Sequence, residues 1–84
     1  SSTELFSLAP SEVAGDVVRI AGAQALVEAA RDHLDAKRPE RALQLTDLVL
    51  AVEPRHIEAR AVAVDAHQVL LAGTENFWER AWFN

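Results

Sequence analysis

Residues 39–54 read Pro39-Glu40-Arg41-Ala42-Leu43-Gln44-Leu45-Thr46-Asp47-Leu48-Val49-Leu50-Ala51-Val52-Glu53-Pro54. Pro39 fits the first position of a helix, where its missing N–H would have no intrahelical partner anyway. Pro54 cannot continue a helix, so the stretch predicts one over 39–52 that a turn closes. Ala42, Leu43, Leu45, Leu48, Val49, Leu50 and Val52 surround it, with Gln44, Thr46 and Asp47 as its main polar relief. A helix apolar on nearly every side belongs in the middle of something. No period-two run rich in β-branched residues occurs in the chain, and no Asn-Gly or Asp-Gly hairpin. The predicted fold class is therefore all-α.

Working outward, Leu26, Ala29, Ala30, His33 and Leu34 follow the i, i+3/i+4, i+7 spacing of a helix over 23–36. Lys37 and Arg38 come where cations complement the helix dipole. Gly22 separates that helix from a shorter one, which Ser11 is expected to cap and which carries Val13, Val17, Val18 and Ile20. Residues 1–10 show no period and end in Pro10; they read as an extended lead-in, leaving 11–84 as a single helical domain. Downstream, a fourth helix is expected over 56–71, through Ile57, Val62, Val64, Val69, Leu70 and Leu71. Gly73 is expected to end it. Thr74 would then cap a fifth helix carrying Phe77, Trp78, Ala81 and Trp82, with Trp78 the better-buried indole.

Ala42 and Pro54 stand at the spacing of a tetratricopeptide repeat, in which small residues let two antiparallel helices approach closely. The segment from Pro54 to Arg60 reads as the start of a second copy. The architecture expected is a short bundle of antiparallel helix hairpins, tetratricopeptide-repeat-like. Thr46 replaces the usual aromatic, and Val49 and Val64 stand where smaller residues are usual. About three repeats are needed to build a binding groove, and this chain holds fewer.

Composition bounds the rest. The chain has 84 residues, half of them hydrophobic and a quarter charged, which is one small ordered domain. It contains no cysteine, so neither a disulfide framework nor a thiolate metal site can form. A net charge of −5 argues against nucleic acid and anionic membrane as partners. The longest apolar run, such as 48–52, is far short of a membrane span. No basic flank or long apolar stretch opens the chain, which favours the cytoplasm while leaving localisation open. It also contains no methionine and ends in a crowd of aromatics, so a piece of a longer protein is expected.

The search for chemistry finds no active site. His33, His56 and His67 include no pair at i, i+4 spacing and no H-E-x-x-H, so no metal ligand is assigned. His33 reads as a hydrogen-bonded core or boundary residue and His56 as an exposed one. Glu28 and Asp32 share a helix face, but Arg31 and Asp35 beside them make an ordinary solvated charged face. No hydroxyl sits in a G-x-S-x-G context, and the three glycines are isolated. No catalytic, cofactor-binding or metal residue is expected here.

What the sequence does carry is surplus apolar surface. Two helices cannot both be central in so short a chain. A partner is expected to cover the excess, most simply in a symmetric homodimer. The residues assigned to that interface and its packing are Leu43, Leu45, Leu48, Val49, Val52, Ile57, Val62, Val69, Leu70, Phe77, Trp78 and Trp82.

These segments resemble a known family. Residues 17–22 (VVRIAG), then Ala25-Leu26-Val27 and Ala29-Ala30-Arg31, are similar to the opening of the alkyl sulfatase dimerisation domain. The block over 41–54 resembles its central helix and closing Glu-Pro, and Ile57-Glu58-Ala59-Arg60 the start of its next helix. The likeness runs from about Thr3 to Trp82. It implies a non-catalytic module following a metallo-β-lactamase-like catalytic domain that holds two zinc ions and hydrolyses sulfate esters. It also implies two partners, a second copy and the catalytic domain of the same protein, with zinc only in the latter. The zinc-ligand histidine cluster of that domain has no counterpart here, so no catalytic residue is transferred and the substrate stays open. The alternative reading is a free-standing tetratricopeptide-like adaptor that binds a protein or peptide through its apolar face.

Overall fold

Pro10 begins the first helix rather than preceding it. A computed structural model describes the backbone over residues 10–83 and the side chains over 12–73. Within them run four helices: α1 (Pro10–Ala21), α2 (Ala23–Asp35), α3 (Pro39–Val52) and α4 (Ile57–Phe83). No strand occurs among the described residues, and the chain is all-α. Pro10 takes a first-turn position that tolerates a missing N–H, so Ser11 falls inside that turn and is not its cap.

A second correction concerns Gly73 and Thr74. They were expected to end one helix and begin another, but α4 runs unbroken through both. An interior glycine costs a helix about 1 kcal/mol relative to alanine, which weakens the helix without breaking it. Gly73 is not left-handed and no proline follows it, so neither of the usual glycine or proline stops operates there. The backbone of Phe77, Trp78 and Trp82 belongs to α4, while their side chains, and the expected burial of Trp78, lie outside the described residues.

Helix α3 takes the middle position its sequence demanded and packs against α1, α2 and α4. Its inward face is Ala42, Thr46 and Val49, all fully buried. Around it lie Ala14 and Val18 of α1, Leu26, Val27, Ala30 and Leu34 of α2, and Ala59, Val62 and Ala66 of α4. Fully buried alanines at 30, 42, 59 and 66 remove side-chain bulk, so the helix axes can approach closely. Thr46 corrects the sequence reading, which took it for polar relief. Its hydroxyl donates to the Leu43 carbonyl at 3.1 Å, which satisfies the one buried polar side chain among the described residues.

The connections are short and set by backbone geometry. Gly22 joins α1 to α2 at φ +88°, a conformation that side chains resist. After α2 the chain forms a Schellman closure: the Arg38 N–H donates to the His33 carbonyl at 2.8 Å and the Lys37 N–H to that of Leu34 at 3.0 Å. Lys37 holds the left-handed position of that motif at φ +68°, where glycine is the usual residue. Lys37→Gly is accordingly expected to raise stability by about 1 kcal/mol, the lower end of the left-handed penalty for a residue with a Cβ. An unchanged or lowered urea midpoint would contradict it.

Helix α4 returns alongside α2. Gln24 Nε2 donates to Glu58 Oε2 at 3.1 Å, and Arg31 Nη1 to Asp65 Oδ2 at 3.0 Å. Both pairs span 34 residues, so α2 and α4 run parallel, with α3 the return stroke between them. The Arg31–Asp65 bridge is about half exposed and is worth roughly 1 kcal/mol or less. It marks which side of α4 faces α2.

Candidate association surface

On a helix with 3.6 residues per turn, positions seven apart recur on nearly the same side. Helix α4 carries two such sides. Ala59, Val62 and Ala66 are buried against the core. Ile57, Val64 and Leu71 lie on the opposite side, 82%, 54% and 61% exposed. Exposed Ala61 and Gln68 fill the gaps between these three. The flank toward α2 is polar through Glu58 and Asp65, and the other flank through Arg60 and His67. A helix with two apolar sides and two polar edges has one side more than the described residues cover.

Helix α1 shows a smaller version of the same thing. Val13 and Ile20, also seven apart, are 53% and 76% exposed, while Ala14 and Val18 pack inward. The two residues form a patch rather than a stripe.

The residues assigned to association from sequence divide by position. Val49 and Val62 are fully or almost fully buried inside the monomer. Leu43, Leu45, Leu48 and Leu70 are half-buried, and Leu43 and Leu45 pack against the core. Val52, Ile57 and Val69 are exposed. The side chains of Phe77, Trp78 and Trp82 lie outside the described residues. Val64 and Leu71 were left out of that assignment although the interval of seven from Ile57 was present in the sequence. Reading that interval as a surface requires knowing which side of α4 faces the core, and only the packing supplies this.

The histidines serve local structure. His56 Nδ1 accepts the Ala59 N–H at 3.1 Å and so caps the start of α4, which leaves it half-buried rather than exposed. His33 Nδ1 accepts from Arg38 Nε at 3.0 Å at the end of α2. His67 is exposed. Among the described residues no three of His, Cys, Asp or Glu gather into a group that could hold a metal, and no cavity opens. No helix among them is long and apolar enough to cross a membrane.

A family model described as alkyl sulfatase dimerisation matches residues 1–84, the whole chain. No curated protein and no solved structure matches it.

Proposed function

The chain belongs to the alkyl sulfatase dimerisation family, and on that premise we propose that it is the dimerisation module of a larger metal-dependent hydrolase. As a dimerisation domain it is non-catalytic. The proposal reaches further: the catalytic partner would be a metallo-β-lactamase-fold, sulfatase-like domain of the same protein. Any zinc would be bound there, not in this chain. The helix path α2–α3–α4 would be one and a half tetratricopeptide-like repeats, a reading supported by the 34-residue offset of the two cross-helix pairs. The observation that carries the association reading is the exposed Ile57, Val64 and Leu71 side of α4. Burying one Leu, Ile or Val fully contributes about 1.5–3 kcal/mol, so a few on each copy suffice for a stable pair.

Sedimentation equilibrium of the purified chain is expected to give about twice its 9.2 kDa at micromolar concentration. A single 9.2 kDa species at high micromolar concentration would remove the association reading. The hydrolase reading is tested separately, by looking in the full gene product for an H-x-H-x-D-H cluster upstream of these residues. A full-length product without it would end that part of the proposal.

A further inference from the structure

We draw no further inference here: the strongest candidate, the outer side of α4 carrying Ile57, Val64 and Leu71, belongs to the association surface already described, and nothing in the structure shows what covers it.

Discussion

Ala42→Leu is expected to cost about 3 kcal/mol, the upper end of the usual range for overpacking a filled core. Ala42 is fully buried on α3, the helix that packs against all three others. Protein interiors are packed like organic crystals, and three added carbons need space that no neighbour can give up singly. Thr46 and Val49, one and two turns further along the same face, are fully buried as well, so α3 cannot rotate to relieve the clash. The helix would have to move outward, which loosens contacts with α1, α2 and α4 at once. A domain this size holds about 4–12 kcal/mol in total, so the change removes a large share of it. Urea midpoints of variant and parent, taken at one protein concentration because association adds to apparent stability, give the comparison. A loss under about 0.5 kcal/mol, the level of an ordinary surface change, would mean that the helices are spaced more loosely around Ala42 than its burial indicates.

Ala42 also marks how far the sequence could be read. Prolines at 39 and 54 bracket α3 without ambiguity, and apolar residues around most of its circumference place it in the middle from sequence alone. Three things were not legible, each for its own physical reason. Thr46 is polar in one-letter terms but satisfies its hydroxyl within its own helix turn, so it passes for solvent-facing until its partner at the Leu43 carbonyl is seen. Lys37 occupies a left-handed site whose signature residue is glycine, and the Schellman hydrogen bonds that hold it there are made by backbone alone. Gly73 resembles a stop signal, yet a glycine ends a helix only when the chain takes a turn there, and α4 does not.

The association surface was half legible. Surplus apolar surface follows from composition and length, because two all-round apolar helices exceed what so small a core can absorb. Dividing that surplus between core and interface needs the rotation of α4 about its axis. Burial of Ala59, Val62 and Ala66 sets that rotation, and the Gln24–Glu58 and Arg31–Asp65 contacts that accompany it join residues 34 apart, which leaves no periodic trace in a single helix. Val49 and Val62 therefore went inside, while Val64 and Leu71 were left outside.

The complementary change, Leu34→Ala, should cost about 3 kcal/mol for the opposite reason: it removes volume instead of adding it. Leu34 lies in the last turn of α2, only 7% exposed, within the cluster that joins α2 to α3 and α4. Truncation forfeits the transfer free energy of the lost carbons and leaves a cavity that collapses only as far as the backbone allows. Here the backbone is held. The Leu34 carbonyl accepts the Lys37 N–H, and the next bond, from Arg38 to His33, closes the same turn. A helix end pinned by two closure bonds cannot slide inward to fill the gap, so a cost near the middle of the 2–5 kcal/mol range for Leu→Ala follows. Leu34→Met keeps most of the volume and should cost less than about 1.5 kcal/mol. Combining Leu34→Ala with Lys37→Gly tests the pinning directly. If the closure resists collapse, relieving the strain at position 37 adds its own gain and leaves the cavity cost unchanged, so the two effects sum. A double variant that recovers more than the Lys37→Gly gain would show instead that the turn relaxes into the cavity, and the cost assigned to Leu34 would then belong partly to the strained residue three positions beyond it.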